Sequence, residues 1–283
     1  MISRLVLTLR MIKIEHSVFA LPFALISALV AAGGLPSWGK LFWIFVAMVS
    51  GRSCAMAFNR LADHRFDRLN PRTSRWPLAA GYLSVPFVAV FTAVCAVILV
   101  YASSRINHLA FVLSPAALAI ICLYSFAKRF TALSHWFIGL ALAVAPAGAW
   151  IAVRGALGFD PLMLCFAILF WTAGFDLIYS CQDAQFDREQ GLHSIPSQYG
   201  ISKALLLSNI CHAITILFLL AFGYGTGLGA WYFSGCALIA ALLIYEHTLV
   251  SPTDLSRVNE AFFTINGLIS VLLLVATSLD LYL

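Results

Sequence analysis

Long apolar segments occupy most of this chain and leave it few ways to fold. A helix of about 17–25 apolar residues can cross the hydrocarbon core of a bilayer. Nine such segments are predicted, at 17–33, 39–58, 84–102, 107–127, 133–153, 160–180, 203–223, 227–246 and 261–280. Only 10% of the residues are charged, against about 25% in a typical soluble domain. We therefore predict an all-α polytopic membrane protein, a bundle of nine transmembrane helices that forms a single domain over residues 1–283.

The basic residues predict how this bundle is oriented. With a cytoplasmic N-terminus, fourteen of the seventeen Lys and Arg residues, Arg52 among them, fall on the cytoplasmic side. Such a bias is typical of cytoplasmic loops. We expect an integral protein of a prokaryotic cell (inner) membrane. Because the net charge of +5 follows from this topology and no DNA- or RNA-binding motif accompanies it, no nucleic-acid partner is expected.

A short acidic motif occurs twice, each time at the end of an apolar segment. The pattern DxxFDR is found at 63–68 and again at 183–188. Around the first copy, Asn59, Asp63 and Asp67 have the spacing i, i+4, i+8, which places them on one face of a helix. We expect the helix of the second apolar segment to continue through Asp67.

The second copy predicts a matching acidic stripe. Asp176, Asp183 and Asp187 have the spacing i, i+7, i+11. Carboxylates are costly near hydrocarbon, by about 2.5–3.5 kcal/mol each at the bilayer centre, so these groups need partners. Hard oxygen donors suit Mg²⁺, which usually also binds substrate phosphates. Two acidic stripes therefore favour a metal-bound diphosphate over two solvated loops held by salt bridges.

Chain breaks follow both acidic motifs and bring basic residues close to them. Asn70 is followed by proline, which predicts the end of the first motif helix. Gly191 and Pro196 predict a break after the second. Arg72 and Arg75 follow the first break and offer bidentate contacts to phosphate.

A third polar segment ends the fourth apolar segment on the same side of the predicted membrane. Its sequence is YSFAKR, at 124–129. Tyr124 and Lys128 are spaced i, i+4, so both side chains can reach one phosphate, and Arg129 adds a second positive charge. On its own this pattern also fits an ordinary interfacial anchor.

These motifs together resemble the UbiA superfamily of intramembrane aromatic prenyltransferases, and within it the enzymes that act on 4-hydroxybenzoate. The similarity rests on NxxxDxxxD at 59–67, YxxxKR at 124–129, DxxYxxxDxxxD at 176–187, and the stretches RWPLAAG and YSFAKRFTALSHWFIG. The resemblance implies transfer of a polyprenyl group from polyprenyl diphosphate to an aromatic hydroxy acid in quinone biosynthesis. It also implies a Mg²⁺ cofactor and an active site that opens on the cytoplasmic side.

The resemblance assigns roles to particular residues. The expected metal ligands are Asp63, Asp67, Asp183 and Asp187, which are also catalytic. Asp176, deeper along its helix, is the expected general base or acceptor-orienting group. The expected substrate-binding residues are Lys13, Asn59, Arg72, Arg75, Tyr124, Lys128, Arg129 and Tyr179. The family usually has Asp after the Asn of the first motif, whereas this chain has Arg60.

The sequence leaves some alternatives open. A dihydroxynaphthoate of the menaquinone route fits the same chemistry as 4-hydroxybenzoate, and the length of the prenyl chain and the oligomeric state are not encoded in these motifs. From another class, an ion-coupled membrane transporter also uses intramembrane carboxylates. A CDP-alcohol phosphotransferase is disfavoured, because its DG and AR pattern is missing from the acidic motifs.

Overall fold

The computed structural model describes residues 3–14 and 17–283, with the side chains of 17–20 outside the description. Within these ranges the chain is helical, and its only β-type pairing is an isolated bridge between Ser251 and Asp254. The predicted all-α fold is confirmed.

The helices follow one another with short connections. In chain order they are α1 (Arg4–Met11), α2 (Ser17–Ala32), α3 (Trp38–Ala62), α4 (His64–Leu69), α5 (Val85–Ile106), α6 (His108–Leu123), α7 (Ser134–Arg154), α8 (Phe159–Ser180), α9 (Ala184–Glu189), α10 (Ile195–Tyr199), α11 (Ile201–Thr226), α12 (Ala230–Thr248) and α13 (Asn266–Tyr282). Two 3₁₀ segments, Tyr124–Arg129 and Cys181–Asp183, follow α6 and α8, and a π-helix, Glu260–Ile265, precedes α13.

All nine predicted apolar segments fall on helices, but not all of these helices are long and apolar enough to cross a membrane. Seven helical stretches of the described chain meet that condition, and they are Trp38–Ala62, Val85–Ile106, His108–Arg129, Ser134–Arg154, Phe159–Glu189, Ile201–Thr226 and Glu260–Tyr282. The other two predicted segments correspond to α2 and α12, of 16 and 19 residues. The predicted count of nine spanning helices is therefore not confirmed.

The first acidic motif lies on two helices joined by a turn. The prediction of one continuous helix through Asp67 is wrong at Asp63, which separates α3 from α4 with φ −94° and ψ 6°. Hydrogen bonds nevertheless cross the turn, from Asp63 N to Asn59 O (2.9 Å) and from Asp67 N to Asp63 O (2.8 Å). The predicted break at Asn70 is confirmed, since α4 ends at Leu69.

The second acidic motif has a similar interruption. After α8 the chain forms one 3₁₀ turn and then α9, which ends just before Gly191, where φ is +67°. Glycine tolerates this left-handed conformation, so the predicted break there is confirmed. Pro196 does not end a helix, because it is the second residue of α10, a position where the missing N–H costs nothing.

Helix α8 occupies the centre of the bundle and packs against α7 and α11. Small residues allow this close approach, as is common between membrane helices. A Cβ on Gly139 of α7 would lie 2.3 Å from the carbonyl oxygen of Leu169, and a Cβ on Gly174 of α8 would lie 2.3 Å from the ring of His212. Residues such as Trp171 bury one side of α8 in the largest hydrophobic core. The packing fixes the helix that carries the second acidic motif.

Candidate active site

A cavity of about 570 Å³ lies between α3, α5, α6, α7 and α8. Polar side chains line it near the C-terminal ends of α3 and α8, and apolar side chains such as Leu113 and Ile44 line its length. Ile44 and Asn59 both contribute to the wall, and fifteen residues of helix separate them by about 22 Å. Such a cavity suits a ligand with a charged head and a hydrocarbon tail.

In the first acidic motif Asn59, Asp63 and Asp67 each have a side-chain partner. Asn59 Nδ2 donates to Asp63 Oδ2 (2.9 Å) and to Ser125 Oγ (3.3 Å). Arg60 Nη1 donates to Asp67 Oδ2 (3.1 Å), and its Nη2 donates to Asn59 Oδ1 (2.7 Å). The motif is thus held by its own hydrogen bonds, with Arg60 as the cation that compensates Asp67.

Arg60, which stands where the family usually has Asp, is part of the site. The residue is only 8% exposed, and its guanidinium lies 4.0 Å from the centre of the Trp76 ring. A guanidinium over an indole face is attracted by the ring quadrupole. Trp76 therefore holds Arg60 against Asp67.

The second acidic motif is anchored by the loop that follows α4. Arg72 donates to both oxygens of Asp183, from Nε at 2.9 Å and from Nη2 at 2.5 Å. Its Nη1 donates to the hydroxyl of Tyr179 at 2.9 Å. Asn70 Nδ2 adds a third bond to Asp183 at 3.1 Å. A bidentate guanidinium–carboxylate pair of this kind is among the stronger charge-assisted contacts.

The segment Tyr124–Arg129 contributes two more ion pairs. Lys128 Nζ lies 3.1 Å from Asp187 Oδ2, and the Asp187 side chain is only 3% exposed. Arg129 Nη2 lies 3.7 Å from Asp63 Oδ1. Tyr124 lines the cavity at the start of the segment. The three motifs predicted to share one site therefore do come together.

Two predicted substrate-binding residues differ in placement. Lys13 lines the cavity, and its Nζ lies 4.7 Å from the centre of the Trp76 ring. Its φ of +48° is uncommon for a residue other than glycine. Arg75 is exposed and is not among the cavity-lining residues, so its contact with substrate stays a prediction.

Burial and neighbouring charges shift the pKa values of two groups at the polar end of the cavity. Burial raises the pKa of Asp63 to about 6; the charge of Asp67 adds to the increase, while Arg60, Lys128 and Arg129 oppose it. Burial alone would lower the pKa of Arg72, but its hydrogen bonds to Asp183 and the charge of that carboxylate raise it above the usual value. A bound cation would favour the ionised form of Asp63.

Three further polar residues of the site are missing from the sequence prediction. Asn70 was assigned only as a helix breaker. Arg52, which the orientation argument placed on the cytoplasmic side, lies within α3 and lines the cavity; the cost of an arginine inside an apolar helix is a signal that could have found it. His135 Nδ1 lies 2.7 Å from Asp176 Oδ2, and nothing in its sequence spacing indicates this pairing.

The donor atoms fit a magnesium ion, although the carboxylates do not form a complete cage. Carboxylate and amide oxygens at the polar end of the cavity are the hard ligands that Mg²⁺ prefers. Among the residues that the structure describes, no three His, Cys, Asp or Glu side chains are close enough to share one ion. Magnesium usually takes one or two carboxylates together with waters and substrate phosphates. The residues therefore fit a metal that arrives with a diphosphate.

Comparisons with known proteins agree with this site. Residues 20–268 match the model of the UbiA prenyltransferase family. The chain is 32% identical over 237 residues to the 4-hydroxybenzoate octaprenyltransferase of Aeromonas salmonicida (strain A449), which covers 84% of this chain and 82% of the relative. It is 28% identical over 281 residues to the 4-hydroxybenzoate octaprenyltransferase of Aromatoleum aromaticum (strain DSM 19018 / LMG 30748 / EbN1), which covers 98% of this chain and 95% of the relative.

Solved structures share the fold. The apo structure of a UbiA homolog from Aeropyrum pernix K1 superposes with a TM-score of 0.86 at 33% identity, covering 94% of this chain and 98% of that one. A UbiA homolog from Archaeoglobus fulgidus bound to DMAPP and Mg²⁺ has a TM-score of 0.74 at 20% identity, covering 97% and 98%. Since the family model matches most of its length, this chain is an integral membrane protein that belongs to the UbiA prenyltransferase family.

Proposed function

We propose that this protein transfers a polyprenyl group from a polyprenyl diphosphate to an aromatic hydroxy acid of the 4-hydroxybenzoate type. The observation that carries the proposal is one cavity with paired acidic and basic residues at its polar end and an apolar wall along its length. The relatives named 4-hydroxybenzoate octaprenyltransferase support both substrate classes. Family membership disfavours the ion-coupled transporter.

The basic residues of the site are placed to bind the diphosphate. Arg72 and Lys128 each hold a carboxylate at the cavity wall, and each has further N–H donors for phosphate oxygens. Asp63, Asp67, Asp183 and Asp187, with Asn59, are the residues that would hold Mg²⁺. When bound, Mg²⁺ neutralises charge on the diphosphate and makes it a better leaving group.

The proposed reaction exchanges one bond for another. The bond between C1 of the prenyl group and the diphosphate oxygen breaks, and its electron pair leaves with the diphosphate. A ring carbon ortho to the acceptor hydroxyl forms a bond to C1, and that carbon then loses its proton. Asp176, which lines the cavity, accepts this proton. Arg72 and Lys128 stabilise the charge that develops on the leaving group, and the apolar wall excludes water from the allylic cation.

The acceptor carries a carboxylate that must be paired inside the cavity, because an unpaired charge is expensive in a low-dielectric site. Lys13, whose Nζ lies 4.7 Å from the centre of the Trp76 ring, and Arg52, deeper along α3, are two further cations that line the cavity. We assign the acceptor carboxylate to Lys13. A dihydroxynaphthoate carries the same groups and is the alternative acceptor, which would place the enzyme in menaquinone rather than ubiquinone biosynthesis.

The orientation in the membrane is part of the proposal. The excess of basic residues near the acidic motifs supports an orientation with the polar end of the cavity and the N-terminus on the cytoplasmic side of a prokaryotic inner membrane. Water-soluble aromatic acids then enter from the cytoplasm, and the prenyl tail lies along the apolar wall.

The direct test of the function is a transfer assay with purified protein. We expect a prenylated aromatic product from radiolabelled geranyl diphosphate, 4-hydroxybenzoate and Mg²⁺, and loss of product in excess EDTA, because the acidic motifs offer only hard oxygen ligands. A parallel reaction with 1,4-dihydroxy-2-naphthoate decides between the two acceptors. Full turnover in EDTA, or no product with either acid, would contradict the proposal.

Replacing the metal-binding carboxylates should slow the reaction. We expect Asp183→Asn and Asp63→Asn each to lower single-turnover prenyl transfer by at least about tenfold, since one preorganised contact at a developing charge is commonly worth a few kcal/mol. Glu189→Gln, an exposed acid on α9, is the matched control and should retain activity. Wild-type rates in both aspartate variants would contradict this role and would indicate that Asp63 and Asp183 only form salt bridges in solvated loops.

Removing the Lys13 charge should affect the acceptor alone. We expect Lys13→Met to raise the KM for the aromatic acid several-fold and to leave the KM for the prenyl diphosphate nearly unchanged, the pattern of lost acceptor binding. Arg10→Met, an exposed basic residue on α1, controls for general effects of membrane-surface charge. If Arg52→Met instead raises the acceptor KM while Lys13→Met does not, the carboxylate binds deeper in the cavity.

A further inference from the structure

Asp176 forms a hydrogen bond with His135, a histidine that does not line the cavity. His135 is fully buried, with 0% of its side chain exposed, and its Nδ1 lies 2.7 Å from Asp176 Oδ2. The Asp176 side chain is 19% exposed and lines the cavity, whereas His135 is not among the lining residues. The contact uses Oδ2, so the hydrogen bond to His135 does not engage the other carboxylate oxygen, Oδ1.

The second ring nitrogen of His135 identifies the position of its proton. The backbone N–H of Ile195 donates to His135 Nε2, with 3.3 Å between the nitrogens. A backbone amide can only donate, so Nε2 presents its lone pair and the proton of the neutral ring is on Nδ1. His135 Nδ1–H therefore donates to Asp176 Oδ2.

The backbone N–H of Ile195, which donates to His135 Nε2, is held in place by the start of α10. Ile195 is the first residue of that helix, where the backbone N–H has no partner within the helix. Ser194 and Ser197 form a reciprocal capping box around it, from Ser197 N to Ser194 Oγ (3.3 Å) and from Ser194 N to Ser197 Oγ (3.0 Å). Ser194, Ile195 and Ser197 are all buried. The cap leaves the Ile195 N–H to point at the imidazole.

This arrangement prevents His135 from accepting a proton from Asp176. Its Nδ1 already carries the proton that it donates to the carboxylate, and the lone pair on Nε2 is engaged by the amide of Ile195. The ring can orient the carboxylate but cannot pass its proton onward. Lys128, Tyr179 and Cys181 also interact electrostatically with Asp176, and none of them lies on α7 or α10.

We propose that His135 is a positioning residue for the transfer reaction, acting as a neutral Nδ1–H donor that keeps Asp176 Oδ1 directed at the acceptor ring. The proposal rests on the proposed function, in which Asp176 Oδ1 accepts the proton that the ring carbon loses. Three separate segments meet at this point, the start of α7, the C-terminal part of α8 and the start of α10. Loss of the imidazole would free the carboxylate to rotate without removing any group that touches substrate.

Two substitutions at His135 separate this role from a purely structural one. His135→Leu removes both hydrogen bonds at similar size, and we expect kcat to fall at least about tenfold with the KM for the prenyl diphosphate unchanged, since misplacing a reacting group by about 1 Å can cost 10²-fold. His135→Gln supplies one amide donor and one carbonyl acceptor, and should recover most of kcat. His212→Leu is the control, because His212 is also buried and packs against α8 at Gly174. Equal kcat in wild type and His135→Leu, or equal losses in the Leu and Gln variants, would overturn the proposal.

A spectroscopic measurement tests the tautomer without using activity. In protein labelled with ¹⁵N-histidine, the resonances that disappear in His135→Gln should be those of a neutral imidazole protonated at Nδ1. An Nε2–H tautomer or a doubly protonated ring would overturn the proposal. If wild-type protein transfers no prenyl group to either acid, the proposed function fails, while an Nδ1–H resonance would still confirm the hydrogen-bond geometry.

Discussion

The pairing of carboxylates with cations inside an apolar helix bundle is the constraint on which the rest of this structure depends. Asp67, Asp183 and Asp187 are nearly buried at the polar end of the cavity, and each is compensated by a basic side chain. The partner of Asp67 is Arg60 of the same motif, whereas Asp183 and Asp187 are paired with Arg72 and Lys128 from distant parts of the chain. A buried charge without a partner would destabilise the fold by several kcal/mol. The loop after α4 and the segment after α6 are therefore drawn over the ends of α3 and α8, which closes the site.

The same carboxylate–cation pairs would have to rearrange for a diphosphate and a metal ion to bind. In the described chain no three acidic, histidine or cysteine side chains are arranged around one point, and Asp63, Asp67, Asp183 and Asp187 are each paired with an arginine or lysine. In the proposed function a diphosphate would offer those cations new acceptors, and the carboxylates released from Arg72 and Lys128 would become available to Mg²⁺. Metal and diphosphate binding would then be coupled, and each would raise the affinity for the other by the same factor.

Much of the fold was readable from the sequence, because membrane helices depend on local composition. The apolar segments, the break at Asn70 and the clustering of the three polar motifs at one end all follow from hydrophobicity, spacing and alternating direction of the helices. The turn at Asp63 was missed because the i, i+4 spacing predicts an unbroken helix. The helical position of Pro196 was missed because proline suits both a break and a helix start.

The partners within the site could not be predicted, because they come from residues distant in the sequence. Asp176 and His135 are 41 residues apart, and Arg72 and Asp183 are 111 residues apart. Spacing along one helix places a side chain on a face, but it does not say which loop will cover that face. The departure of Arg60 from the family pattern was visible in the sequence. Its role as the counter-ion of Asp67 was recognised only in the structure, where Trp76 holds the guanidinium against that carboxylate.

The most direct test of this account is the affinity for Mn²⁺, measured by electron paramagnetic resonance with and without geranyl diphosphate and in the absence of an aromatic acid. If the carboxylates are occupied by basic side chains until a diphosphate engages those cations, the ion should bind at least about tenfold more tightly in the presence of the diphosphate. Equal Mn²⁺ affinity in both conditions would mean that the acidic motifs form a complete metal site on their own, and would contradict the account.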